Sequence, residues 1–190
     1  MRTRISAIAG AVLMLALGVT GCAVQGQTTA GTPPPPATAA PASGAATTTF
    51  GTGKPLVYDC AQLVDSQVVA QLDTGLAPDS VVAATPGSSA EEALAIMGTA
   101  CSWSDASSQT TLTVTAALPD AGTFATLKSK AASLTPDPEF GKIVSAYTDG
   151  TELELFTTDG AWATARSALF ADPAKLTLIG QVVLEELPAG

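Results

Sequence analysis

The side chains in this sequence best suited to chemistry are acidic. Glu152 and Glu154 flank Leu153, so on a strand both carboxylates share one face. Two carboxylates so placed suit acid–base work or calcium binding, and glycoside hydrolysis needs such a pair at a controlled separation with one pKa raised. The plainer alternative is a solvated sheet face, and Glu91 with Glu92, and Glu185 with Glu186, read as helix-surface neighbours. The chain has no histidine, which excludes Ser-His-Asp and Cys-His catalysis and removes the commonest neutral metal ligand. Ser129 and Ser133 have only Lys128 and Lys130 nearby as bases, on an exposed helix face. The glycines are scattered and form no phosphate loop. No metal site and no cofactor is expected.

Sulfur is more informative. Arg2 and Arg4 precede a stretch from Ile5 to Val19 that is apolar apart from Ser6 and the glycines, as in the n-region and h-region of a secretory signal. It is short for a membrane span, which needs about 20 apolar residues. Leu17-Gly18-Val19-Thr20-Gly21-Cys22 follows and resembles the lipobox of bacterial lipoproteins, carried here by Val19, Thr20 and Gly21 before Cys22. The resemblance implies a diacylglyceryl group on the Cys22 thiol, cleavage just before it and acylation of the new amino end. Acyl chains contribute about 0.8 kcal/mol per buried CH₂, so two or more of them hold a protein stably on a bilayer. The implied location is the extracytoplasmic face of the cell membrane, lipid-anchored. Cys60 and Cys101 then remain of the three cysteines, and outside the cytoplasm they read as a disulfide. Closing a loop of about 42 residues is worth ~4 kcal/mol on the chain-entropy argument.

Residues 1–21 are thus read as a signal peptide, 22–54 as the lipidated cysteine with a disordered tether, and 55–190 as one extracytoplasmic domain. The mature part holds six basic and 17 acidic residues, a net charge of −11. With no basic cluster it lacks the footprint of a nucleic-acid binder. Anionic headgroups repel it too, so the acyl chains on Cys22 must make the membrane contact. Ala23 to Gly53 is uncharged and, apart from Val24 and Phe50, built of Ala, Thr, Pro, Gly, Ser and Gln, with Pro33-Pro34-Pro35-Pro36. Such a segment buries too little surface to offset its ordering entropy, and threonines beside its prolines are compositional candidates for O-glycosylation.

The elements that must position the carboxylates follow. Asp65 or Ser66 caps a short helix burying Val68, Val69 and Leu72. Val81 to Ala84 reads as a short strand, and Ser89 with Glu92 as a capping box opening a helix that Gly98 ends. Cys101 and Trp103 share a strand face. Thr111, Thr113 and Thr115 alternate with Leu112, Val114 and Ala116, the pattern of a sheet with one covered side and one wet side. Pro119-Asp120 opens a helix with Phe124, Leu127, Ala131 and Leu134 on one stripe. Three strands, Ile143–Tyr147, Glu152–Thr157 and Ala161–Ser167, join at Asp149-Gly150 and Asp159-Gly160. Asp172-Pro173 opens a last helix burying Leu176, Ile179, Val183 and Leu187.

Short antiparallel hairpins with helices on one face make an α+β two-layer domain, with strand-strand-helix occurring twice as a pseudo-repeat. A two-residue Asp159-Gly160 turn sets Trp162 beside Thr157 on the face of Leu153 and Leu155, with Phe156 on the other face. Either both faces are covered, or an apolar patch around Phe156 or Trp162 receives a ligand or partner. Tyr58-Asp59-Cys60-Ala61-Gln62-Leu63 and Cys101-Ser102-Trp103, with the lipobox and tether, resemble actinobacterial lipoproteins that share a Cys and Cys-Xaa-Trp pattern. That resemblance implies a disulfide framework and carries over no reaction. The expected role is non-enzymatic binding of a hydrophobic small molecule, a lipid or an envelope protein, and the alternative is a carboxylate-dependent hydrolase of wall polysaccharide.

Overall fold

The computed structural model describes residues 51–141 and 144–188. The signal, the lipobox with Cys22 and the tether as far as Phe50 lie outside the described residues, as does Ile143.

The chain is already docked where the description begins. Thr52 donates its backbone N–H to Thr123 Oγ1 and its hydroxyl to Asp120. Strand β1 (Gly53–Lys54) pairs with Pro119 and Leu118, so Gly51 to Lys54, expected to be tether, belong to the body. Two short helices follow, α1 (Cys60–Leu63) and α2 (Ser66–Leu72). In α1 the Asp59 and Gln62 side chains cap reciprocally, and in α2 Asp65 accepts from the Gln67 N–H at 2.6 Å; each satisfies amides that the first turn leaves unpaired. The bridge between Cys60 and Cys101 is formed, with Cα atoms 5.5 Å apart, and ties α1 to the sheet.

The strand expected at Val81 to Ala84 is absent. Its place is taken by β2 (Ala77–Pro78), which pairs with Ser104 and Trp103. Helix α3 (Ser89–Ala95) is capped by Ser88, whose Oγ accepts from the Glu91 N–H, one residue earlier than the expected Ser89 and Glu92. Strands β3 (Thr99–Asp105) and β4 (Thr110–Pro119) form a long hairpin. Helix α4 (Ala121–Ala131) starts at the Asp120 cap, so Leu134 falls beyond its end. The chain then lays down the edge strand β5 (Thr135–Asp137), followed by β6 (Val144–Thr148), β7 (Glu152–Thr157) and β8 (Trp162–Ser167), and closes with helix α5 (Pro173–Glu186).

All pairings are antiparallel, in the order β2-β3-β4-β8-β7-β6-β5. The fold is α+β with an antiparallel sheet, as the sequence leads one to expect. Because side chains alternate across a strand, two cores result. Leu112, Val114, Leu153, Leu155, Ala163 and Ala165 face α1, α2 and α5, where Leu63, Leu72, Ile179 and Val183 complete the larger core. Each fully buried aliphatic side chain there is worth about 1.5–3 kcal/mol. Ala117, Phe156 and Trp162 face the other way, against Ala93 and Ile96 of α3 and its C-terminus and Leu127 and Ala131 of α4. The expected single helical layer is therefore joined by a second one.

That second layer decides the threonine face. Thr115 and Thr164 are cross-strand partners, both buried, and their hydroxyls lie 2.8 Å apart. The side expected to be wet is covered there by α3 and α4. Strand-strand-helix does occur twice, as β3-β4-α4 and β7-β8-α5. The two helices land on opposite faces, so the units are not related by a two-fold axis through the sheet between β4 and β8.

Candidate functional site

Strands β7 and β8 carry the carboxylates, and the turn joining them sets what faces what. Phe156 pairs with Trp162, and the Thr157 N–H reaches the Ala161 carbonyl. The loop is thus three residues, Thr158-Asp159-Gly160, with Gly160 at φ +89° supplying the left-handed residue that such a loop requires. The expected two-residue turn was one residue out, and a slip of one residue turns every side chain to the other face. Trp162 accordingly lies with Phe156, Glu152 and Glu154, not with Leu153 and Leu155.

The suggested apolar patch around Phe156 and Trp162 is therefore core and not surface. Both are 1% exposed. Phe124 of α4 meets the Phe156 ring edge-on at 5.4 Å, and Tyr147 of β6 meets it at 6.1 Å. The helices that bury the pair were legible in the sequence, but which side of the sheet they cover was not.

At the margin of this second core the two glutamates take different surroundings. Glu152 lies opposite Arg166 and pairs with it at 3.4 Å, and its other oxygen accepts from Ser89 Oγ of α3 at 3.0 Å. Glu154, half-buried like Glu152, has its Oε2 accept from Trp162 Nε1–H at 3.1 Å. Burial pushes the Glu154 carboxyl up to about 7; the Trp162 donor opposes that rise, Glu152 and Glu92 add to it, and Lys130 opposes it. A buried carboxylate loses hydration that one indole donor does not replace. Lys130 of α4 bridges to both oxygens of Glu92 of α3, at 2.8 and 2.9 Å.

No protein-family model, curated protein or solved structure matches this chain. Among the described residues, no group of three or more Cys, Asp or Glu side chains is arranged to hold a metal. Lys130, one of the two lysines beside Ser129, is paired with Glu92, while Ser133 Oγ donates to the Lys130 carbonyl. Glu91 accepts from the Gly87 N–H, and Glu185 and Glu186 are exposed at the end of α5.

Two clefts among the described residues lie away from the carboxylates. One of about 160 Å³ runs beside the disulfide, lined by Cys60, Val64, Val69, Leu76, Pro78 and Trp103. A more open one of about 430 Å³ follows the β5–β6 edge between Pro136 and Tyr147. Neither is lined by Glu152 or Glu154. Sequence reasoning named both glutamates but not their inequality. The signal that could have found it is Trp162 at the start of the next strand, with both a large apolar body and a single N–H to give.

Proposed function

We propose that this chain is a lipid-anchored extracytoplasmic lipoprotein, of the kind that the Cys and Cys-Xaa-Trp pattern resembles, whose body is a non-enzymatic binding module. The observation that carries the reading is the Cys60–Cys101 bridge beside the shallow apolar cleft. A disulfide persists in oxidising compartments, which agrees with the secretory signal and lipobox ending at Cys22. The engagement of both oxygens of Glu152 by the protein's own groups also supports binding over catalysis. The partner class is a hydrophobic small molecule or a neighbouring envelope protein, met off the membrane by a body of net negative charge. Mass analysis of the cell-derived product tests the anchor: a chain beginning at a diacylated Cys22 is expected, and an unmodified Cys22 would end the proposal. Lipid co-purifying with the intact chain, lost on Trp103→Ala, would assign the cleft to an apolar ligand.

A second reading has one specific observation in its favour. Burial raises the Glu154 carboxyl to about 7, two positions along β7 from Glu152, as a general acid in polysaccharide hydrolysis requires. It predicts turnover of wall polysaccharide that Glu152→Gln and Glu154→Gln each abolish. Absence of turnover by the unaltered chain removes it.

A further inference from the structure

Three of the four large apolar side chains exposed among the described residues gather near the point where the chain enters the body: Val57 at 88%, Leu94 at 46% and Met97 at 49%. The entering strand β1 passes the end of α3, since a Cβ on Gly53 would lie 2.8 Å from the Ile96 carbonyl oxygen. Just beyond, the Leu56 N–H donates to the Met97 carbonyl at 2.9 Å, and Thr99 Oγ1 donates to the Leu56 carbonyl while accepting from the Tyr58 N–H. Val57 is thus held between two residues bonded to Met97 and Thr99, and the Met97 N–H donates to the Leu94 carbonyl at 3.1 Å. Pro55 to Tyr58, flanked by Lys54 and Asp59, and Leu94 to Ala100 contain no charged residue. Met97 also sits under strain. With the Gly98 N–H on the Ala93 carbonyl at 2.8 Å, α3 ends in a Schellman turn whose left-handed position is Met97, at φ +64°. Glycine takes that position freely and methionine does not. Core packing offsets little of this, because the residue is half exposed. A large apolar side chain at a glycine position, turned to solvent, points to a contact made outside the body.

We propose that this junction is a second membrane contact, in which Val57, Leu94 and Met97 enter the interfacial layer of a bilayer of zwitterionic phospholipid; the inference rests on the lipid anchor proposed above. From an acylated Cys22, the 28 residues Ala23 to Phe50 lead toward this junction and span at most about 100 Å. The bilayer therefore stays within reach at high effective concentration, and a contact too weak to hold a free protein is enough to dock a tethered one. Apolar side chains without neighbouring charge suit the boundary between headgroups and acyl chains, and methionine adapts to an irregular surface. The acidic remainder of the body is repelled by anionic headgroups, which restricts the contact to lipid without net charge. The cleft beside the disulfide is lined by none of the three residues, so the contact does not occupy it.

Met97 is the one methionine after Cys22, so a methyl-labelled methionine reports on the junction alone in nuclear magnetic resonance. The acylated chain from cells, labelled in this way, is placed in phosphatidylcholine bicelles that carry a spin label near the headgroup end of the acyl chains. The Met97 methyl signal should broaden severalfold and recover when phosphatidylglycerol replaces part of the phosphatidylcholine. Val57→Ser and Leu94→Ser should each relieve the broadening without lowering the unfolding midpoint. Met97→Gly, which removes the left-handed strain, should unfold at an equal or higher temperature and yet lose the broadening of the Val57 amide. A Met97 signal that ignores the spin label in an acylated chain would overturn the contact and leave the anchor standing. An unmodified Cys22, read by mass analysis of the same sample, would overturn both. Broadening that follows protein concentration without spin-labelled lipid would assign the junction to a second copy and likewise overturn the membrane contact.

Discussion

Replacing one member of the Thr115–Thr164 pair with valine, which keeps the shape and removes the hydroxyl, isolates a buried polar contact. Thr115 is 0% exposed and Thr164 1%, with oxygens 2.8 Å apart on adjacent central strands. Each hydroxyl has the other as its side-chain partner, and water does not reach either. In Thr115→Val the Thr164 hydroxyl stays buried without that partner, which costs about 1–3 kcal/mol, offset in part by the added apolar methyl. A net loss of about 1.5 kcal/mol is expected for each single variant. In the double variant no hydroxyl is left unpaired, so its stability should return to within about 0.5 kcal/mol of the unaltered chain. The coupling is then about 2.5 kcal/mol or more, of the size reserved for groups in direct contact. In urea, with a slope of about 2 kcal/mol per molar, each single change lowers the midpoint by about 0.7 M and the double change restores it. Equilibrium unfolding followed by circular dichroism reads this directly. Single losses that simply add in the double variant would refute the account, because they would mean that the hydroxyls are satisfied elsewhere.

Three further outcomes follow from the packing and the charges. Stability should peak on the acid side. Glu154 is raised, so its contribution is whole below its ordinary value of 4.5 and is lost as pH climbs through about 7. That loss is about 2 kcal/mol after allowing for partial solvent screening. Asp105 is lowered to about 2 by the Ser108 and Ser107 hydroxyls and the Ser107 N–H, so its contribution disappears as pH falls from 3.8 toward that value. Midpoints of thermal unfolding against pH should thus be highest near pH 4 to 5, and Glu154→Gln should flatten the alkaline limb. Gly180→Ala, which in an open helix gains about 1 kcal/mol, should instead destabilise by about 1–3 kcal/mol, since the added carbon strikes the Phe140 ring and lies 2.8 Å from Leu153 Cδ2. Reducing the Cys60–Cys101 bridge, which spans 41 positions, should lower unfolding stability by about 4 kcal/mol, and a loss under 1 kcal/mol would show that the denatured chain gains no freedom from its opening.

Much of the body was legible locally. Turn glycines at Gly150 and Gly160, both at positive φ, proline at the start of α5 and the alternation of Leu112 to Ala116 are signals that act over a few residues, and each element they announce is present. Errors came where one residue changes the outcome or where distant parts meet. The turn after Thr157 holds three residues in place of two, which sent Trp162 to the side of Glu154 and Phe156. The edge strand β2 was displaced from Val81–Ala84 to Ala77–Pro78, since pairing with β3 and not local β-propensity fixes an edge.

The sequence by itself determined the α+β class, much of the strand and α5 contribution to the larger core and the candidate pairing of Cys60 with Cys101, because hydrophobic period, turn chemistry and thiol count are properties of short stretches or of the whole inventory. Only the tertiary structure decided that α3 and α4 cover the threonine face, that Glu152 meets Arg166 and Ser89 while Glu154 meets the Trp162 indole, and that Lys130 of α4 is tied to Glu92 of α3. Desolvation is set by what packs above a side chain, and here those groups come from 24 to 62 positions away in the chain, beyond the reach of any local pattern.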